Sequence, residues 1–191
     1  VTTGRARPTA ADLAAAHGGL VPDLVGPGIR VLLVGINPSL WSAWSGLHFA
    51  RPGNRLWRTL YDAGFTSRLL DPSDTGEVLA AGLGITNLVA RATARADELS
   101  GDEVQAGVEP LRKLVRSCRR RWDGPAYVAF LGISTYRIAF GARRATVGEQ
   151  PASPFEGARV WVLPNPSGLN ASYQQPALTE AYARLRAATT G

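Results

Sequence analysis

Two asparagines, each followed by proline, stand where apolar runs end: Asn37-Pro38 closes VLLVGINP and Asn165-Pro166 closes VWVLPNP. A carboxamide offers both a donor and an acceptor. It can therefore orient a water molecule or read a base edge that needs both partners, although it is a feeble base beside a carboxylate. Pro38 fixes its own φ and biases Asn37 toward an extended backbone, which holds the amide in place. Asn-Pro is also an ordinary turn initiator; its recurrence at two strand ends is what singles it out. The nearest carboxylates, Asp97 and Glu98 in ARADELS, read as a solvated helix start or, if turned inward, as activators of water. Trp41, Trp44 and Phe49 stud the long segment after the first run. Such rings either cap the core or stack on a base face, a contact worth about 1–3 kcal/mol.

Other chemistries lack their motifs. There is no GxxxxGK[ST], no GxGxxG after a strand and no GxSxG, and His17 and His48 fall in no triad or paired-metal spacing. Cys118, the single cysteine, lies at helical spacing in KLVRSCRRRW and reads as an apolar filler. Neither a metal nor another cofactor is expected.

The elements that must position these groups alternate along the chain. RVLLVG (30–35), GITNLV (84–89), AYVAFLG (126–132) and RVWVLP (159–164) are continuous apolar runs, the pattern of strands covered on both faces. Between them lie helical patterns. NRLWRTLYDAG places Leu56, Trp57, Leu60 and Tyr61 on one face, with Asn54 as N-cap and Gly64 as stop. Ser100 and Glu103 form a capping box, and Pro110 kinks the following helix or starts another. Ser134 is expected to cap a short helix, and Pro176 lies in the first turn of the last one. The pattern predicts a three-layer α/β/α sandwich around a mostly parallel four-stranded sheet. On such sheets ligands bind at the carboxyl ends of the strands, which would gather both Asn-Pro pairs into one cleft.

With 191 residues, 45% of them apolar, the chain can bury one substantial core. Residues 27–191 read as a single domain, preceded by an Ala/Gly-rich arm (1–26) with one weak helix, TAADLAAAHG. No run reaches the roughly 18–20 apolar residues of a membrane span. The N-terminus has no secretory pattern, so a cytoplasmic, nucleoid-associated monomer is the expectation. The net charge of +6, carried by arginine except at Lys113, favours a polyanionic partner. Arg119, Arg120 and Arg121 suit the negative end of a helix dipole.

GINPS (35–39), HFARPGNRLW (48–57), AGFT (63–66), GITNLVARAT (84–93) and WVLPNPSGLN (161–170) together resemble the mismatch-specific uracil/thymine-DNA glycosylase branch of the uracil-DNA glycosylase superfamily. The similarity runs in order from about 27 to 187. It implies an α/β/α fold that acts on uracil-containing or mismatched double-stranded DNA without metal, flipping the base into the cleft. By this resemblance Asn37 positions the attacking water; Asp97, the carboxylate just past the second strand, is a second catalytic candidate by its position alone. Phe49 stacks on the flipped pyrimidine, and Ile36, Ser42 and Asn165 complete the base-binding set. Leu169 is the wedge that fills the vacated stack, with Ser167, Gly168 and Asn170 beside it on the DNA. A neutral amide in place of an aspartate implies slow turnover, with donors to the departing base supplying most of the stabilisation.

Four positions depart from that pattern. Ala171 stands where an arginine is common, Ser39 replaces a glycine, and Trp41 and Trp44 replace small residues, implying a reshaped pocket. Two rival functions share the same cleft: a metal-free hydrolase of free nucleosides or nucleotides, and a noncatalytic nucleic-acid-binding module.

Overall fold

The computed structural model describes residues 7–168, 170 and 172–190. In chain order the elements are α1 (Ala10–Ala15), β1 (Val31–Gly35), α2 (Leu40–Ser45), α3 (Leu56–Asp62), α4 (Thr75–Ala80) and β2 (Leu83–Asn87). A 3-10 turn (Ala96–Glu98) precedes α5 (Gly101–Ala106), α6 (Val108–Trp122), β3 (Tyr127–Leu131), α7 (Ile133–Phe140), β4 (Gly148–Glu149), β5 (Arg159–Leu163) and α8 (Gln175–Ala188).

The four apolar runs form parallel strands, and the sheet order is β2-β1-β3-β5-β4. Five strands stand where four were expected: β4 pairs antiparallel to β5 through Gly148 and Glu149, so the sheet is mixed. A two-residue edge strand has no room for an alternating pattern and leaves no mark in the sequence.

Within each run the period of two sorts side chains between two cores. Val31, Leu33, Ile85, Ala129 and Leu163 face α3, α4 and α8, where Leu56, Leu60, Val78, Leu178 and Tyr182 cover them. Leu32, Val34, Val128, Phe130 and Val162 face the other layer, built from Val104, Leu111, Val115 and Tyr136 of α5, α6 and α7. Cys118 is buried in α6, and burial pushes its thiol pKa up.

Local signals account for most helix ends. Ser100 and Glu103 make the capping box of α5. Pro110 falls in the first turn of α6, which starts afresh after Gly107 rather than kinking. Gly107 also has to be a glycine: a Cβ there would lie 2.2 Å from the Leu88 carbonyl oxygen. Asn54 accepts from the backbone N–H of Leu56 at 2.9 Å, and Gly64 takes a left-handed φ of 77° past the end of α3. Three expectations fail. The N-cap of α3 is Arg55, with no side-chain cap, so Asn54 stands one residue before it. Ser134 lies inside α7, whose N-cap is Gly132 with no side-chain cap, and Tyr61 is 42% exposed, with Thr59 taking the buried place.

The N-terminal segment reaches the sheet through backbone bonds. Leu24 and Ile85 exchange N–H···O bonds of 2.9 and 2.8 Å, covering the outer edge of β2. Gly18 and Gly19 pair with Ala92. No helix among the described residues is long and apolar enough to cross a membrane.

Candidate active site

The chain leaves β1 toward β2 on one side, and leaves β3 toward β5 on the other. Loops therefore diverge above the β1/β3 pair, the place where open parallel sheets leave a crevice. A cleft of about 670 Å³ opens there. Its floor follows from strand parity. Gly35 and Asn87 are register partners, and Leu131 ends the same facial row on β3, so the last residues of β1, β2 and β3 on the α3/α8 face meet the cavity.

Asn37 leaves β1 directly above this floor. Its Nδ2 donates to the Thr93 hydroxyl at 2.7 Å and to the Arg91 carbonyl at 3.0 Å. Thr93, 2% exposed, passes its own proton to the Arg95 carbonyl at 2.7 Å. Both amide hydrogens are thus used, and no described residue donates to Oδ1, which is left as an acceptor for whatever enters the cleft. The segment holding these partners is itself tied down, because Arg91 forks onto Glu103 at 2.7 and 3.0 Å. That fork, with the capping bonds from Ser100, lowers the Glu103 pKa to about 2.

Phe49 has a left-handed backbone, φ 52°, uncommon for a bulky residue and a mark of local strain. The Trp57 indole donates to its carbonyl at 3.3 Å. A Cβ on Gly35 would lie 3.2 Å from the tip of the Phe49 ring and 2.6 Å from Asn87 Oδ1. Only a hydrogen at position 35 lets the ring and the amide share the floor.

A chain of neutral hydrogen bonds orients Asn87. His48, 6% exposed, has its pKa lowered by burial and meets the Pro22 carbonyl through Nε2 at 2.9 Å. A carbonyl can only accept, so Nε2 carries the proton and Nδ1 is an acceptor. Nδ1 faces Asn87 Nδ2 at 3.4 Å, which places Asn87 Oδ1 toward Gly35 and the ring.

At the rim, Asp97 is the only carboxylate among the described lining residues, and its side chain forks onto Arg95. That hydrogen-bonded pairing lowers the Asp97 pKa, weakening it as a base. Glu98 turns away, accepting from the Arg95 N–H and pairing with His17. Ser42, buried in α2, hydrogen-bonds with Ser39, the N-cap of that helix. Trp41 and Trp44 contact each other edge-on and do not line the cleft.

Opposite Asn37, the turn after β5 forms the other lip. Asn165 lines the cleft, but its Oδ1 accepts from the Ser167 N–H at 2.9 Å, so only its NH₂ end is available to a ligand. Asn170 spends its amide on the turn, donating to the Asn165 carbonyl and accepting from the Ser172 N–H. Gly168 packs on the Gly53 backbone, where a Cβ would meet the carbonyl oxygen at 2.6 Å. Leu169 and Ala171 lie outside the described residues.

Ile36, Asn37, Ser42, Phe49, Asp97, Asn165 and Ser167 therefore share one cleft. Gly168 and Asn170 shape the turn behind its lip. Residues 22–186 match the family model of the uracil DNA glycosylase superfamily. The chain belongs to the uracil DNA glycosylase superfamily. Members of the superfamily are DNA glycosylases, hydrolases of the N-glycosidic bond, and membership supports that role here. The fold is also similar to the solution NMR structure of a candidate uracil DNA glycosylase from Methanosarcina acetivorans. The TM-score is 0.61 at 18% identity, covering 89% of this chain and 97% of that one.

Sequence reasoning missed three residues that organise this superfamily cleft: His48, Asn87 and Thr93. Asn87 carried the same signal as Asn37, an amide ending a buried strand. The other two act through partners distant in sequence, a relation that composition and spacing do not encode.

Proposed function

We propose that this protein is a monofunctional DNA N-glycosylase that removes uracil, and related mismatched or damaged bases, from duplex DNA. The observation that carries it is the meeting of Asn37 Oδ1, the Phe49 ring and the Asn165–Ser167 turn around one base-sized cleft. Extruding a base costs a few kcal/mol and is cheapest at a mismatch. Leu169 would offset that cost by filling the vacated stack.

In the cleft, the flipped pyrimidine lies on Phe49. Its polar edge meets Asn87, whose Oδ1 suits the N3–H of uracil and whose second Nδ2 hydrogen suits O4. The Asn165 NH₂ group adds a further donor. Asn37 Oδ1 accepts from a water and aims its oxygen at C1′. The N-glycosidic bond breaks with its electron pair leaving on the base, water oxygen bonds to C1′, and its proton passes to the departing base or to solvent. The amide supplies orientation, an effect distinct from acid-base power, so turnover should be slow. Asp97, paired with Arg95 at the rim, contributes little basicity to this scheme.

The test is abasic-site formation on a uracil-containing duplex. Asn37→Ala should lose about 100-fold or more in rate, the scale for losing the positioning of a reacting group, and Asp97→Ala should stay near wild type. Activity on free deoxyuridine without a duplex requirement would favour the small-molecule hydrolase. Tight duplex binding with no release of base would favour the noncatalytic module.

A further inference from the structure

The turn that forms the outer lip is held by one side chain from the opposite lip. Arg55, at the start of α3, sends its guanidinium across to three carbonyls. Nη1 donates to Tyr173 at 2.7 Å, and Nη2 donates to Ser167 at 2.7 Å and Asn170 at 2.9 Å. The Arg55 backbone N–H adds a fourth bond, to the Pro166 carbonyl at 3.0 Å. The accepting carbonyls bracket position 169 on both sides.

The guanidinium is half-buried, and its Nε is buried with no hydrogen-bond partner. Burying a cation with one donor unsatisfied is costly, and no carboxylate pairs with Arg55 among the described residues. Among the described residues the side chain is thus held by the loop carbonyls alone, in a spread geometry that suits a planar fork better than a compact lysine ammonium. Beside it, Gly168 sits on the Gly53 carbonyl with no space for a Cβ. The start of α3 and Gly53 are thereby joined to the described residues of the turn after β5.

We propose that Arg55 is a positioning residue that holds the turn residues it bonds, Pro166, Ser167, Asn170 and Tyr173, in place for contact with the duplex. This rests on the glycosylase reading above. A lip held in place matters where a paired base must be extruded, and matters little where the base is already unstacked.

The experiment compares uracil release from a U·G pair with release from a single-nucleotide uracil bulge, for wild type, Arg55→Lys and Arg55→Gln. Backbone hydrogen exchange over 165–174 follows the turn itself. The expected result is a loss of about tenfold or more on the pair for both variants, the scale of ångström-sized misplacement. On the bulge the loss should be less than about twofold, with faster exchange confined to the turn. A general folding defect would instead lower both substrates together, and Arg55→Lys, which keeps the charge and stem, guards against that outcome. Equal losses on the two substrates, or no loss on the pair, overturn the role of Arg55 while leaving the glycosylase reading intact. A wild type that releases uracil from neither duplex sinks the glycosylase reading and this one with it.

Discussion

Thr93→Val isolates the orientation of the Asn37 amide from its presence. Valine keeps the shape of a side chain that is 2% exposed, but removes the hydroxyl that accepts from Asn37 Nδ2 at 2.7 Å and donates to the Arg95 carbonyl at 2.7 Å. The Arg91 carbonyl, at 3.0 Å, still holds one amide hydrogen. A single net hydrogen bond is worth about 0.5–1.5 kcal/mol, and 1.4 kcal/mol corresponds to about a tenfold change in an equilibrium. The productive amide orientation should therefore lose a factor of about 3–10, appearing in kcat with KM nearly unchanged. Folding stability should fall by about 1 kcal/mol from the same lost bonds. Single-turnover uracil release measures the first quantity and thermal unfolding the second. The decisive comparison is the double variant. If Thr93 acts only through Asn37, then Asn37→Ala/Thr93→Val is no slower than Asn37→Ala alone. A Thr93→Val enzyme at full rate, or a double variant slowed by a further factor equal to that of Thr93→Val, would refute the reasoning.

Gly35→Ala puts a methyl 2.6 Å from Asn87 Oδ1 and 3.2 Å from Phe49. Base binding should weaken by about tenfold or more, with overpacking costing about 1–3 kcal/mol of stability; KM and unfolding midpoints measure the two, and an unchanged KM would contradict the shared floor. His48 supplies a pH dependence. Burial depresses its folded pKa below the ordinary 6.5, so on acidification the unfolded chain takes the proton first. Stability present above about pH 6.5 should decline as pH falls through that value toward the lowered folded one. His48→Gln should flatten that part of the profile, and identical slopes for wild type and variant would count against a buried neutral imidazole.

The parallel strands were legible because each is covered on both faces, which makes Val31–Val34 and Val128–Leu131 unbroken apolar runs. The Ser100 capping box and the Pro110 helix start were legible because they are local. The antiparallel β4 is too short to carry a pattern, and Ser134 missed its cap because Gly132, with φ 140°, makes the turn two residues earlier. At the site, Asn37 stood out by ending a buried strand. The bonds that aim it come from Arg91 and Thr93, 54 and 56 residues away, and Arg55 reaches its carbonyls across 112 to 118 residues. Such pairings exist only after the sheet has brought strand ends together.

The fork between Arg95 and Asp97 also shapes the long-range field at the mouth. The one acidic group among the described lining residues is paired with Arg95, and Arg51 stands exposed nearby. An incoming sugar-phosphate strand, approaching within a Debye length of about 8 Å at physiological salt, therefore meets no unpaired carboxylate among the described lining residues.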